Sequence, residues 1–93
     1  MTIRLDSVPS HAPDTASRLV DEQALIVRLS DNMVTVLNSV GSRIWDLADG
    51  CRSFGAIAAQ MGEEFDAAPE VLERDTLAFA TELLQRGLLT LKA

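Results

Sequence analysis

The chain of 93 residues has few of the side chains that carry out enzyme chemistry: one cysteine, one histidine and no tyrosine. Its single cysteine, Cys51, cannot form an internal disulfide, which fits a reducing compartment. A nucleophile and base would have to be Cys51 and His11, which lie in a predicted helix–helix loop and a separate N-terminal segment. No spacing of Cys or His is typical of a zinc site, and no glycine-rich loop suits a phosphate. The sequence therefore predicts no catalytic residue, no metal site and no cofactor.

Basic side chains are also scarce. The only lysine is Lys92, and the net charge is −6. Nucleic-acid affinity depends on Lys and Arg neutralising phosphates, so this composition disfavours nucleic acid and favours neutral or basic partners, peptides among them. No apolar run approaches the roughly 20 residues that cross a bilayer, and the first residues lack the pattern of a secretory signal. We therefore expect a cytoplasmic protein with no membrane partner.

The N-terminal residues contain prolines and small polar side chains. We predict that residues 1–16 form a flexible arm and that residues 17–93 form one domain. Within the arm, Ile3 and Leu5 alternate as they would in a short edge strand. His11, isolated between prolines, is predicted to be a solvated loop residue.

The next part of the chain is rich in strand formers. Polar turns separate three apolar or β-branched segments, which are residues 18–20, 24–29 and 33–37. Connections this short favour an antiparallel meander. Such a sheet needs its apolar face covered, and the covering elements must come from the rest of the chain.

The second half of the chain is helical in pattern. The first predicted helix is capped by Ser39 and stops at Gly50, the second begins after Ser53, and the third runs from Pro69 to Arg86. Gly87 ends the third helix, and residues 88–91 form a short extended tail. Trp45 has the helical spacing of a core residue. The predicted fold class is α+β, with a three-stranded antiparallel sheet followed by three helices.

Short elements of this sequence, taken together, resemble the PqqD family. They are Val36-Leu37-Asn38, Gly41, Ile44-Trp45, Leu47, Asp49-Gly50, Ile57, Phe65, Asp75, Phe79, Leu83 and Gly87-Leu88-Leu89. The resemblance covers roughly residues 17–91 and implies a winged-helix-like domain. Members of this family recognise ribosomally made, modified peptides. The resemblance therefore implies a non-catalytic domain that binds the leader of a precursor peptide and presents it to a modifying enzyme, such as a radical S-adenosylmethionine protein. The pathway would be synthesis of pyrroloquinoline quinone (PQQ) or of a related modified peptide, such as a lasso peptide.

In that family the leader adds as a strand beside the third strand, in a groove walled by the third helix. The residue pattern agrees, because the third predicted strand is at the edge of a simple meander and has an unpaired side. Apolar pockets are expected from Val34, Val36 and Phe79, and charge recognition from Asp75, Glu82 and Arg86. The predicted peptide-binding residues are Met33, Val34, Thr35, Val36, Leu37, Val71, Asp75, Ala78, Phe79, Glu82 and Arg86. Thr76 and Ala80 are smaller than the family's usual aliphatics, so we expect a shallower or repacked groove.

Two alternatives remain open from the sequence alone. A winged-helix fold also suits a DNA-binding transcriptional regulator, although the second helix pattern, residues 53–65, has no Lys or Arg for reading bases. The chain could also be a subunit of a larger enzyme that is active only with its partner. An exposed edge strand permits pairing between copies, so a monomer or a weak homodimer is expected.

Overall fold

The computed structural model describes residues 3–92, which fold into two small antiparallel sheets and three helices. In chain order the elements are β1 (Val8–His11), β2 (Thr15–Val20), β3 (Gln23–Arg28), β4 (Met33–Val36), α1 (Ser39–Leu47), α2 (Phe54–Glu64), α3 (Pro69–Gln85) and β5 (Leu89–Lys92). The α+β class and the three-stranded sheet followed by three helices are confirmed.

The larger sheet is the predicted meander, with strand order β2–β3–β4. The turn between β2 and β3 has two residues, Asp21 and Glu22, both with positive φ. Mirror-image turns of this kind match the right-handed twist of a hairpin, and they usually contain Asn, Asp or Gly. In the turn between β3 and β4, Asn32 takes the left-handed conformation. The hairpins therefore form where the polar turns are predicted.

The smaller sheet pairs a strand near the start of the described residues, β1, with the last strand, β5. Val8 is opposite Lys92, and His11 is opposite Leu89, in the antiparallel β1–β5 pair. The structure here differs from the predicted arm and tail: residues 8–11 form a strand, and residues 89–92 form its partner. The sequence pattern misses this pair because its contacts join residues about 80 positions apart and because Pro9, fully buried here, is unusual in a strand.

The segment before β1 turns at Leu5 and Asp6, where the Ser7 N–H donates a 3.0 Å hydrogen bond to the Arg4 carbonyl, and it packs on the domain. Ile3 and Leu5 do not form the predicted edge strand. Instead Ile3 packs against the core, and the Leu5 carbonyl accepts a 2.8 Å hydrogen bond from the Gly55 N–H. Residues 1, 2 and 93, which the predicted arm and domain include, lie outside the described residues.

The helix ends follow the predicted capping chemistry with two corrections, both in α1. The helix ends at Leu47, with Ala48 as its C-cap, before the predicted stop at Gly50. The N-cap of α1 is Asn38, whose side-chain oxygen accepts a 2.8 Å hydrogen bond from the Gly41 N–H; the predicted Ser39 is the first helical residue. Asn and Ser are similarly good caps, so pattern alone does not separate neighbours. Ser53 caps α2, Pro69 is in the first turn of α3, and Gly87 follows its end with a φ of +74°.

The main core lies between the larger sheet and the helices. Its fully buried side chains include Ile26, Phe54, Ile57 and Met61. Trp45 is a core residue, as predicted, and is 3% exposed. No helix among residues 3–92 is long and apolar enough to cross a membrane.

His11 is not the predicted solvated loop residue. It is half-buried in β1, its ring stacks on the Trp45 ring with 3.7 Å between centroids, and Nε2 lies 2.7 Å from the Trp45 carbonyl oxygen. Pairing of β1 with β5 places His11 over α1, and the sequence gives no local signal for this pairing.

Candidate functional site

Strand β4 is an open edge of the larger sheet. Among the described residues, β3 pairs with one side of β4 and no strand pairs with the other. The Leu37 N–H donates a 2.9 Å hydrogen bond to the Ala24 carbonyl, just beyond the strand. Antiparallel ladders alternate, so Met33 and Thr35 also point their backbone groups at β3. The N–H and C=O groups of Val34 and Val36 therefore point outward, where another strand can pair with them.

A groove of about 230 Å³ lies between this edge and α3. Its walls come from the end of β4, the residue that caps α1, and the last two turns of α3. The lining residues are Thr35, Val36, Leu37, Asn38, Phe79, Glu82, Leu83 and Arg86. The groove thus runs alongside the unpaired backbone groups.

The aromatic surface of the groove is the Phe79 ring, which lies against the first turn of α1. A Cβ added at Gly41 would be 2.8 Å from Phe79 Cζ and 3.0 Å from Cε1. These separations are shorter than real Cβ contacts, so only glycine at position 41 permits this ring position. Gly41 therefore sets the depth of the groove at this end.

Ser42 fixes α1 against the end of β4. Its buried hydroxyl accepts a 2.6 Å hydrogen bond from the Ala24 N–H and donates a 3.1 Å bond to the Leu37 carbonyl. The hydroxyl thus bridges the last rung of the ladder between β3 and β4. Through this bridge α1, and with it the Asn38 cap, keeps a fixed position at one end of the groove.

Arg28 connects the β3–β4 turn to the end of α3. Its guanidinium donates to both Asp31 carboxylate oxygens, at 3.0 and 2.7 Å, and also donates to the Arg86 carbonyl. The β3–β4 turn is therefore tied to the end of α3, where unpaired helix carbonyls attract a cation. The hydrogen bond from Arg28 lowers the pKa of Asp31 below its ordinary value, so the carboxylate stays charged.

The polar wall of the groove is an ion pair on α3. Arg86 and Glu82 lie one helical turn apart, with 2.8 Å between Nη2 and Oε1, and both side chains are about half exposed. Asp75 lies farther along the same flank, with its Oδ1 3.4 Å from Arg74 Nε. Its side chain is more exposed than those of Glu82 and Arg86. An ion pair this accessible can exchange partners with a charged ligand side chain at little cost. Among residues 3–92, no group of three or more His, Cys, Asp or Glu side chains could hold a metal ion.

The structure brings six of the eleven predicted residues to this groove. They are Thr35, Val36, Leu37, Phe79, Glu82 and Arg86. Met33 and Val34 continue the same strand, and Val71, Asp75 and Ala78 continue the same flank of α3 toward its N-terminus. None of these five lines the groove. Whether the predicted set binds a peptide stays a prediction.

Thr76 and Ala80 are placed differently from the expectation. They are 1% and 0% exposed and belong to the buried face of α3, so their small size affects packing against the core and not the depth of the groove. Leu83 and Asn38 line the groove without having been predicted. Arg28 and Ser42 also went unrecognised, because a polar side chain that bridges two elements has no periodic signal in the sequence.

Comparison with known families identifies the fold. The family model described as "Coenzyme PQQ synthesis protein D (PqqD)" matches residues 14–89. The chain belongs to the PqqD family. The open edge β4, the groove and α3 all lie within the matched range.

A named relative agrees with this assignment. A protein of Gluconobacter oxydans (strain 621H) named "PqqA binding protein" is 39% identical to this PqqD-family chain over 54 residues, or 58% of the chain. The aligned part is 56% of that relative's length.

Two solved structures share the fold. The complex of TbiB1 with the TbiA(beta) leader peptide has a TM-score of 0.83 at 25% identity, covering 90% of this PqqD-family chain and 98% of that one. The solution structure of the PqqD truncation of Methylobacterium extorquens PqqCD, described as a stand-alone recognition element for ribosomally synthesised, modified peptides, has a TM-score of 0.79. It is 21% identical to this chain and covers 96% of it, with 95% of its own length covered.

Proposed function

We propose that this PqqD-family protein is a non-catalytic recognition domain that binds the leader segment of a ribosomally made precursor peptide. The leader adds as a fourth strand beside β4, with alternate side chains entering the groove under α3. One observation carries the proposal: the outward N–H and C=O groups of Val34 and Val36 run beside a groove with an aromatic wall and an ion pair. Main-chain bonds at such an edge supply affinity, and the pockets beside it supply specificity.

The comparisons support the same function. One relative is named for binding PqqA, and one neighbour with the same fold is a complex with a leader peptide. The partner in catalysis is then a separate modifying enzyme, such as a radical S-adenosylmethionine protein, which acts on the bound precursor. The chain itself supplies recognition and no reacting group.

A DNA-binding role is disfavoured by the helices. The sequence of α2 contains no Lys or Arg, and the whole chain carries a net charge of −6. Such a surface repels the phosphate backbone, which provides most nonspecific DNA affinity. Duplex DNA is therefore a useful negative control in the binding experiments.

The first test is an NMR titration of isotope-labelled protein with two peptides, PqqA and the TbiA(beta) leader. We expect shifts on β4 and on the C-terminal half of α3 with the peptide that binds, and none with duplex DNA. The peptide that binds more tightly indicates the pathway. Shifts with DNA at the same residues would contradict the proposal.

The second test removes one main-chain donor from the edge. Val36→Pro deletes an outward N–H, and we expect the Kd for the leader to rise about fivefold, since one hydrogen bond contributes roughly 1 kcal/mol. Leu19→Pro is the matched control: ladder alternation points its N–H outward too, but on β2, at the opposite edge of the sheet. Circular dichroism must show that both variants fold. Equal affinity in the folded Val36→Pro variant would overturn strand addition at β4.

A further inference from the structure

The face of the larger sheet that points away from the helices is apolar at its β4 edge. Leu37 is buried and Thr35 half-buried on the core face, so alternation puts Val34 and Val36 on the opposite face. There they are 55% and 58% exposed. Their cross-strand partners are Val27 and Leu25, respectively.

This composition is unusual for a solvent-facing sheet. An antiparallel sheet that covers a core on one face normally carries polar side chains on the other. Here the two valines and their partners form one contiguous patch, the outer patch, consisting of Leu25, Val27, Val34 and Val36. The same face continues onto β2, where a shallow depression of about 150 Å³ is lined by Ala16, Ser17, Arg18, Leu25 and Val27.

The hydrogen-bonding pattern of β4 links the outer patch to the proposed peptide. The outward backbone groups belong to Val34 and Val36. For an antiparallel added strand, the residues opposite these two form the hydrogen-bonded pairs. Cross-strand partners share a face, so their side chains lie on the outer patch, about 5 Å from the valines. The residue between them, opposite Thr35, points its side chain to the other face and into the groove.

We propose that the outer patch is a second recognition surface for the same leader, so that the peptide is read on both faces of the added strand. The leader then carries apolar residues, β-branched or aromatic, at two positions separated by one residue. The residue between them faces Phe79 and the Glu82–Arg86 pair and sets the choice of charge. This inference rests on the proposed function, because only a strand added to β4 brings side chains to both surfaces.

A display selection with peptides of random sequence tests the inference, whichever leader is the natural one. Peptides of about nine residues, longer than β4, are selected against the wild-type protein and against Val34→Thr and Val36→Thr variants. Threonine keeps the branched shape and the backbone N–H but adds a hydroxyl. Val20→Thr is the matched control, because Val20 is an exposed valine on the same face at the opposite edge of the sheet.

We expect wild-type selections to enrich peptides with apolar residues at alternate positions. Each β4 threonine variant should lose this preference at one position, and Kd should rise about two- to fivefold per valine for a wild-type-selected peptide. Val20→Thr should select the same peptides as wild type. Preference at the groove-facing position should persist in Val34→Thr and Val20→Thr, since neither residue lines the groove.

The outcomes separate the inference from the proposed function. If no peptide is enriched by the wild type, both fail. The selected peptides could depend on the Val36 N–H and yet show no apolar preference opposite the two valines. In that case only the inference that the outer patch recognises the peptide fails. The inference also fails if sedimentation shows a homodimer that Val34→Thr dissociates, since a second copy would then cover the outer patch.

Discussion

Gly41 fixes the position of the Phe79 ring, and we therefore expect it to affect the proposed peptide binding. In Gly41→Ala, the new methyl group must shift the Phe79 ring from its position in the groove, since a separation of 2.8 Å from Cζ is too short. Alanine raises helix propensity by about 1 kcal/mol, which offsets a cost of similar size for moving the ring off its rotamer. We therefore expect a severalfold loss of peptide affinity with a change of less than about 1 kcal/mol in the free energy of unfolding. Isothermal titration and urea denaturation measure the two quantities, and Gly62→Ala in α2 is a control whose added Cβ meets nothing closer than 3.4 Å.

Ser42 is a buried polar residue whose two hydrogen bonds connect three elements. Ser42→Ala leaves the Ala24 N–H without its partner inside the protein. An unsatisfied buried donor costs about 1–3 kcal/mol, so we expect a loss of that size in the free energy of unfolding. Ser39→Ala is the control, since Ser39 is an exposed residue of the same helix. A Ser42→Ala variant as stable as the control would contradict the bridging role.

The Glu64 carboxylate makes part of the free energy of unfolding depend on pH in the acid range. Arg43 donates to both of its oxygens, at 2.7 and 2.8 Å, and Gln60 donates a third hydrogen bond. The hydrogen bonds from Arg43 lower the pKa of Glu64 from 4.5 to about 2. The folded state binds this proton less tightly than the unfolded state, so the contribution is complete above pH 4.5 and is lost as pH falls toward 2.

Urea midpoints of wild type and Glu64→Gln should therefore differ at neutral pH and converge at about pH 2. Glu63→Gln, which removes the neighbouring carboxylate, is the control and should follow wild type more closely. A difference between wild type and Glu64→Gln that stays constant through acid would contradict this assignment.

At the scale of elements, the width of the groove depends on the distance between β4 and α3. Arg28, at the end of β3, links the β3–β4 turn to the C-terminal end of α3. Arg28→Gln removes the bonds to Asp31 and to the Arg86 carbonyl, so the hairpin and the helix end can separate. We expect a Kd for the leader at least severalfold higher, together with NMR shifts in both elements. Arg52→Gln is the matched control, because it removes the same charge and breaks an ion pair to Asp49 in the α1–α2 loop. Equal effects of the two variants would show that Arg28 acts only through net charge.

Elements with a local pattern could be predicted from the sequence. The strands of the larger sheet are short apolar or β-branched segments between polar turns, the helices have caps and stops, and Trp45 has helical spacing among apolar residues. The Asn38 cap was missed by one position because two good capping residues stand together. Thr76 and Ala80 show the limit of a helical wheel: it groups residues on a face but does not say whether that face meets the core or the groove.

The candidate site was predictable to the same extent. The resemblance to the PqqD family implied a site between the third strand and the third helix. Sequence order and periodicity then indicated the edge of the sheet and the flank of α3, so Thr35, Val36, Glu82 and Arg86 could be named in advance. Leu83 could not be named as a groove residue, since its spacing in the sequence is that of a core residue. Arg28 and Ser42 could not either, because their hydrogen bonds join residues 58 and 18 positions apart.

At the scale of the whole molecule, residues 3–12 are part of the fold. Deleting residues 1–12 removes β1, its pairing with β5 and the His11 ring on Trp45. With about 1 kcal/mol for each net hydrogen bond, we expect a loss of roughly 2–4 kcal/mol in the free energy of unfolding. Deletion of residues 1 and 2 alone is the control. A truncated protein as stable as wild type would show that residues 1–12 act as a dispensable arm.

The pairing of β1 with β5 also has a consequence for engineering. Val8 and Lys92 are strand partners, so the start of β1 and the last described residue lie side by side on a sheet that does not include β4. Fusion to another protein beyond β5 therefore begins at a sheet separate from the proposed docking edge. A short linker could also join the ends and a new break be made at the Asp21-Glu22 turn, giving a circular permutant with its β4 edge intact.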